Sequence, residues 1–177
     1  MKKKMNIAIV GLGNIGSYFY NYIKKNKNNL FNKTNTIPNI LYVSARSLSK
    51  KRKFKISKKI WLKNCISATK IKKIDIIVEL IGGSEGVAKK LVFEALKNKK
   101  HVITANKALV AKYGDQLAKI AEINKVNFEF EAAVCGGIPV VRSIKEGLIA
   151  NNSTKIYGIL NGTSNYILSS MDNDKLE

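Results

Sequence analysis

Apolar residues occur in short runs that alternate with segments of helical periodicity along most of the chain. The first run, 6–10, is continuous and ends at a glycine, which is typical of a strand buried on both faces of a parallel sheet. Apolar residues then recur at helical spacing from Ile15 to Ile23. Further strands are predicted at 40–45, 60–62, 74–81, 101–104 and 126–131, and further helices at 87–96 and 108–123. This alternation predicts an α/β fold with a doubly wound, mostly parallel sheet.

Two polar segments interrupt this pattern. Residues 24–39 are rich in lysine and asparagine and end near Pro38, so they are predicted to form a solvated loop. Residues 46–73 are basic and contain only the weak strand signal already noted.

The pattern changes after Pro139. Apolar residues on one face predict a helix, followed by a strand at 156–160 and a last helix. We expect a first domain over 1–135 and the beginning of an α+β substrate domain over 136–177. The second segment is too short to bury a good core by itself.

The formal net charge of +20 is the one unusual feature of a composition that is 45% hydrophobic and 25% charged. Such a charge attracts nucleic acid or anionic membranes. However, the lysines occur among many asparagines and isoleucines, and all three have A/T-rich codons. No nucleic-acid-binding motif accompanies the charge. We therefore expect neither nucleic acid nor membrane as a partner, and salt-dependent nucleic-acid binding stays as an alternative.

Cysteine and histidine are scarce. Cys65 and Cys135 form no disulfide pattern, and His101 is the only histidine, so a zinc site or a histidine relay has little to draw on. No apolar run has the length of a signal peptide or a membrane span. We expect a cytoplasmic protein.

A glycine-rich loop joins the first strand to the first helix. It matches the G-x-G-x-x-G pattern, whose glycines allow a tight turn and whose helix N-terminus offers N–H groups to a pyrophosphate. Its position predicts a Rossmann-like fold that binds a dinucleotide; the alternative is a turn without a ligand. The predicted cofactor-binding residues are Gly11, Leu12, Gly13, Asn14, Ile15 and Gly16.

The end of the second strand indicates which dinucleotide is bound. Residues 44–52 contain hydroxyls and cations where an NAD site would usually place a carboxylate. This predicts NADP in preference to NAD, with Arg46 making the stacking or phosphate contact. The alternative is a solvated run of charges.

Three other strand ends carry candidate site residues. Gly82 can let the backbone pass beside the cofactor; the alternative is a turn that leads into a helix. Lys107 can hold the nicotinamide or polarise a substrate carbonyl. The segment 129–139 contains a carboxylate, a glycine pair and a proline that suits a helix start. We expect this junction to form part of a site.

These motifs, in this order, resemble those of homoserine dehydrogenases over essentially the whole chain. The resemblance rests on the glycine-rich loop and on residues 45–52, 78–83, 104–110, 131–141 and 158–168. It implies NAD(P)-dependent interconversion of L-homoserine and L-aspartate 4-semialdehyde, in threonine, methionine and isoleucine biosynthesis. Ser47 stands where members often have aspartate, which disfavours NAD.

The resemblance also implies roles for individual residues. Lys107 would contact the cofactor near the reacting carbon, and Gly162 lies in a segment that would close over the nicotinamide. A monovalent cation such as Na⁺ would bind mostly through backbone carbonyls, at the residues Glu131, Val134, Gly136 and Ile138. The family's proton-donor lysine is expected beyond residue 177, so we expect no turnover by this chain alone and a homodimer for the complete enzyme.

Two other hypotheses stay open. One is an enzyme like aspartate-semialdehyde dehydrogenase, with Cys135 as the nucleophile, although no histidine follows Cys135 to act as base. The other is a non-catalytic NADP-binding module, or a fragment that works only with a partner chain.

Overall fold

The computed structural model describes residues 3–50, 52, 54–158 and 161–174. The chain divides into two compact units, with the boundary between Phe130 and Glu131. The sequence-based domain limit was placed five residues later, after residue 135.

The first unit contains a parallel sheet whose strands follow the predicted apolar runs. Its strands are β1 (Lys3–Val10), β2 (Thr36–Ser44), β3 (Ile76–Glu79), β4 (His101–Thr104) and β5 (Phe128–Glu129), in the spatial order β2-β1-β3-β4-β5. The order reverses between β1 and β3, which is where open α/β sheets bind ligands at the carboxyl ends of their strands.

Helices cover both faces of this sheet. They are α1 (Asn14–Thr34), α2 (Val87–Lys97) and α3 (Lys107–Ile123). Ile7 and Ile9 of β1 belong to one buried cluster with Tyr20 of α1. Ala8 and Val10, which alternate with them, belong to a second cluster with residues of α2 and α3. Because successive strand residues point to opposite faces, this arrangement confirms the doubly wound fold.

The predicted loop at 24–39 is wrong. Helix α1 continues to Thr34 with a kink at Asn26, and Asn35 ends it in a left-handed conformation at φ +52°. Strand β2 then begins at Thr36 and includes Pro38. Proline is tolerated there because β2 lies at the sheet edge, where one side of the strand needs no ladder partner.

Two other predicted strands are much shorter than expected. The strand at 60–62 is reduced to one bridge, in which Trp61 pairs in parallel with Val43 of β2. When Trp61 is counted as a strand of one residue next to β2, the spatial order of the strands is that of a Rossmann fold. The strand at 126–131 is paired only over Phe128–Glu129, because the chain turns into a 3₁₀ helix at Glu131–Ala133.

The second unit is helical in its described part. The helix predicted after Pro139 is one turn, α4 (Val140–Arg142), followed by a π-helical turn at Ser143–Gly147, and the last helix is α5 (Gly162–Asp174). The strand predicted at 156–160 is wrong for 156–158, which have no regular structure; residues 159 and 160 lie outside the described residues. A strand needs a paired neighbour, and the described residues of this unit supply none.

Candidate cofactor-binding site

The turn after β1 can be built only with glycine at two of its positions. Gly11 has φ +100°, and a Cβ there would lie 2.3 Å from the carbonyl oxygen of Leu80. A Cβ on Gly16 would lie 1.9 Å from the carbonyl oxygen of Gly11. Both distances are far below van der Waals contact, so these glycines let the loop pack against β3 and let α1 begin immediately.

Gly13 has a different role in the same loop. A Cβ there would meet no atom of the described residues within 4 Å, so none of them fills the space beside it. Helix α1 starts directly after Gly13, and no side chain in the described part of the chain caps it. The first N–H groups of α1, including those of Asn14 and Ile15, have no acceptor within the helix. An open cradle beside uncapped N–H groups fits the pyrophosphate of a dinucleotide.

The carboxyl ends of β3 and β4 are joined by a buried polar network. The Glu79 side chain, which is fully buried, accepts the N–H groups of Ile81 at 2.7 Å and Gly82 at 3.1 Å. The Thr104 hydroxyl donates to the other Glu79 oxygen at 2.5 Å and accepts the N–H of Asn106 at 3.0 Å.

Asn106 extends this network. Its side chain donates to the carbonyl of Gly83 at 2.6 Å and accepts the N–H of Leu109 at 3.1 Å, which caps α3. The network therefore sets the backbone of the two loops that follow β3 and β4. The sequence analysis did not assign roles to Thr104 or Asn106, because only the register pairing of Glu79 with Thr104 brings them together.

Lys107 lies at the end of this network, as the first residue of α3, and its side chain is exposed. Gly82 and Gly83, in the preceding loop, have φ values of +87° and +81°. A residue with a Cβ would be strained at either position. The predicted residues Gly82 and Lys107 thus lie at adjacent strand ends.

A cleft with a volume of about 680 Å³ opens at these strand ends. The glycine loop, the turn after β3 and the start of α2 form part of its wall, and a basic segment after β2 forms another part. The residues that line the cleft from this part of the chain include Arg46, Ser47, Lys50, Arg52 and Lys63. Arg46 therefore lies where the sequence placed it, and Lys63 is a cation of this wall that the sequence analysis did not identify.

Glu85 also lines the cleft, and it belongs to a charged cluster with three residues of α2 and α3. Lys112 donates to its carboxylate at 2.6 Å, the Tyr113 hydroxyl at 2.5 Å and Lys89 at 3.3 Å. These hydrogen bonds, led by that of Lys112, lower the pKa of Glu85 to about 2. The cluster links the loop before α2 to α3.

The residues predicted to bind a cation lie in the second unit. The Glu131 carboxylate accepts the N–H groups of Val141 at 3.0 Å and Arg142 at 2.8 Å, at the start of α4. The carbonyl of Ile138 accepts the N–H of Val140 at 2.8 Å. Gly136 has φ +61°. Glu131 therefore organises this turn, and a cation there stays a prediction.

Gly162 is exposed and is the first residue of α5. Asn161 precedes it and accepts the N–H of Ser164 at 3.1 Å, so the cap of this helix is an asparagine. Within the described residues, no helix combines the length and apolarity needed to cross a membrane.

The fold and the glycine loop define a dinucleotide-binding domain of the Rossmann class. Comparison with protein families specifies it further. The family model for the homoserine dehydrogenase NAD-binding domain matches residues 11–131, and the model for homoserine dehydrogenase matches residues 139–177. The chain belongs to the homoserine dehydrogenase family.

Individual relatives agree with the family models. The chain is 37% identical to the homoserine dehydrogenase of Bacillus subtilis and 39% identical to that of Neisseria gonorrhoeae. These alignments cover 98% and 96% of the chain but 40% and 38% of the relatives. A crystal structure of a homoserine dehydrogenase from Thiobacillus denitrificans matches with a TM-score of 0.82 and 38% identity, over 97% of this chain and 39% of that one.

The chain thus spans about two fifths of the length of the curated relatives it matches. The family resemblance inferred from the motifs is confirmed. The predictions that this family is an oxidoreductase family and that the chain contains its nicotinamide-cofactor domain are confirmed as well. The hypothesis of an aspartate-semialdehyde dehydrogenase is not supported. His101, the only histidine, accepts the N–H of Asn127 at 3.0 Å through Nδ1, and Cys135 lies in a turn at φ +53°.

Proposed function

We propose that this chain forms the cofactor-binding part of a homoserine dehydrogenase that interconverts L-homoserine and L-aspartate 4-semialdehyde and prefers NADP(H) to NAD(H). The observation that carries the cofactor preference is the cleft wall after β2. The described residues that follow β2 supply Arg46, Ser47, Lys50 and Lys63 to it and no carboxylate, whereas the carboxylate that lines the cleft, Glu85, lies in the loop before α2. Cations and hydroxyls suit a 2′-phosphate, whereas a carboxylate would favour the free ribose hydroxyl of NAD.

Residues of the chain would position the cofactor around this wall. The nicotinamide supplies or accepts the hydride when it is bound. Gly13 leaves room for the pyrophosphate beside the N–H groups of α1. The family resemblance implies that Lys107 contacts the cofactor near the reacting carbon, and its place after β4, at the same sheet edge as the glycine loop, supports this role. Gly162 would belong to the segment that covers the nicotinamide.

A sodium ion is proposed at the start of the second unit. Glu131 supplies a carboxylate, and Val134, Gly136 and Ile138 supply backbone carbonyls, which are hard oxygen ligands. Since the Glu131 carboxylate already accepts two N–H groups of α4, a cation would share this carboxylate with the helix.

The cellular setting follows from the proposed reaction. We place the enzyme in the cytoplasm, in threonine, methionine and isoleucine biosynthesis, with the small-molecule substrate as its partner and neither nucleic acid nor membrane. We propose a homodimer for the complete enzyme.

Cofactor binding by the 177-residue chain tests the preference directly. We expect a lower Kd for NADPH than for NADH by calorimetric titration. Arg46→Met should raise the Kd for NADPH roughly tenfold or more, since a charge-assisted bond to phosphate is lost. The control Lys97→Met removes the same charge from the last turn of α2, where Lys97 is exposed and lies outside the cleft wall. Tighter binding of NADH by the unaltered chain would disprove the preference.

The reaction itself is tested by NADPH-dependent reduction of L-aspartate 4-semialdehyde, followed as loss of NADPH absorbance. The assay compares this chain with a form extended to the length of its relatives. Reduction by the extended form, with homoserine as product, is the expected result. Failure of the extended form to reduce the semialdehyde while it binds NADPH would contradict the proposed substrate.

A second candidate is a cofactor-binding chain that acts only with a partner chain. It is supported by the exposure of large apolar residues in the second unit, where Ile149 is 82%, Tyr157 84% and Tyr166 73% exposed. Under this proposal the chain binds NADPH but reduces the semialdehyde only when a second polypeptide is added. Reduction by the chain alone would exclude it.

A further inference from the structure

We propose that Arg52 is a positioning residue, which holds the loop 47–50 in the conformation that receives the 2′-phosphate of NADP. This inference rests on the proposed NADP preference and assigns one further residue to it, with a structural role. Arg52 would act through the residues that contact the phosphate, which we take to be Arg46 and Ser47.

The guanidinium of Arg52 gathers three backbone carbonyls of this loop. It donates to Ser47 at 2.9 Å through Nη2, and to Lys50 at 3.1 Å and Leu48 at 3.3 Å through Nη1. A planar guanidinium can satisfy several acceptors in fixed directions at once, which the compact ammonium of lysine cannot do. The loop is therefore folded around this one side chain.

Arg52 also connects the loop to the edge of the sheet. Its guanidinium carbon lies 6.0 Å from the ring centroid of Trp61, and Trp61 pairs with Val43 of β2. The Nε atom is buried and has no hydrogen-bond partner among the residues that the structure describes. A buried donor without an acceptor is destabilising, so the hydrogen bonds made by Nη1 and Nη2 have to offset this cost. We therefore attribute the position of the guanidinium to the three carbonyls that it bonds.

Electrostatics explain why such a device suits a phosphate. Carbonyl oxygens carry partial negative charge and would repel a dianion that approaches the loop. With three of them bonded to Arg52, the polar side chains that line the cleft beside Arg52 include Ser47 and the exposed cations Arg46 and Lys50. Ser47 is further held by a 2.8 Å hydrogen bond between its hydroxyl and that of Ser49.

Two substitutions separate positioning from direct charge contact. Arg52→Met removes both the charge and the planar guanidinium, and Arg52→Lys keeps the charge but places all of its donors on one nitrogen, at the end of a shorter side chain. We expect both variants to raise the Kd for NADPH about tenfold while the Kd for NADH changes less than about twofold. The control Lys59→Met removes one exposed charge close by in sequence and should leave the ratio of the two constants unchanged.

A second measurement uses the unaltered protein. Trp61 is the only tryptophan, and it lies beside Arg52, so its emission reports on this loop. We expect a saturable change with 2′,5′-ADP and none with 5′-AMP, which lacks the 2′-phosphate. In both Arg52 variants the change with 2′,5′-ADP should require about tenfold more ligand.

Several outcomes would overturn the inference. If Arg52→Lys keeps the preference for NADPH and Arg52→Met loses it, Arg52 contacts the phosphate by charge alone. If both variants keep the preference, or weaken NADPH and NADH equally, Arg52 does not position a phosphate loop. An equal response of Trp61 to both nucleotides would also contradict the inference. Failure of the NADP preference itself is distinguishable, because it is seen in the unaltered chain before any variant is measured.

Discussion

Replacing Thr104 by valine removes two hydrogen bonds from the buried network and keeps the shape of the side chain. The Thr104 hydroxyl donates to Glu79 at 2.5 Å and accepts the N–H of Asn106 at 3.0 Å. A hydrogen bond to a charged group contributes about 2 kcal/mol and a neutral one about 1 kcal/mol. We therefore expect Thr104→Val to lower the free energy of unfolding by about 3 kcal/mol. Urea unfolding followed by circular dichroism measures this difference.

Thr104→Ser is the matched control. It keeps the hydroxyl and loses only one methyl group, so it should cost about 1 kcal/mol. Because the network sets the loops after β3 and β4, Thr104→Val should also weaken NADPH binding in the fraction that stays folded. If Thr104→Val is as stable as Thr104→Ser, the hydroxyl does not stabilise Glu79, and the proposed control of the two loops is wrong.

Three other substitutions and one chemical modification test the site. Gly16→Ala should destabilise the protein by at least about 2 kcal/mol in thermal unfolding, since the added Cβ would overlap the carbonyl of Gly11. Gly13→Ala should change the stability by less than about 0.5 kcal/mol, yet it should weaken NADPH binding in a calorimetric titration. Glu85→Gln should lower the Tm at about pH 6. The pKa of Glu85 in the folded protein, about 2, lies below its ordinary value of 4.5, so the ionised carboxylate stabilises the fold above about pH 4.5. The difference in Tm between the two proteins should therefore disappear as the pH falls to about 2. Burial raises the pKa of the Cys65 thiol, so Cys65 should be alkylated by iodoacetamide more slowly than a small-molecule thiol near pH 8, and NADPH should protect it because Cys65 lines the cleft. A Tm difference that persists for Glu85→Gln in acid, or alkylation of Cys65 unaffected by NADPH, would contradict these assignments.

The sheet was predictable because its central strands are buried on both faces. β1 and β3 appear in the sequence as continuous apolar runs, and β4 was predicted with its observed limits. The second half of α1 was missed because its outer face consists of lysine and asparagine, which also dominate loops. This half of the helix also contributes to the core, because its Leu30 packs against the buried cluster that contains Ile7 and Ile9.

The site was predictable only where backbone geometry demands a particular residue. Gly11 and Gly16 can be recognised because no other residue fits. The network of Glu79 and Thr104 has no local pattern, since the two residues are 25 positions apart and meet through strand register. The contacts of Arg52 are equally hidden, because backbone carbonyls as acceptors leave no trace in the sequence.

Strand β2 bears on how the protein behaves at high concentration. An edge strand with a free row of backbone donors and acceptors invites a second chain to add to the sheet. Here Pro38 lacks an N–H group near one end of the strand, and near the other end the carbonyl of Val43 accepts the N–H of Leu62 at 2.8 Å. These two features shorten the run of backbone groups with which another molecule could pair, so growth of the sheet from one chain into the next is disfavoured at this edge.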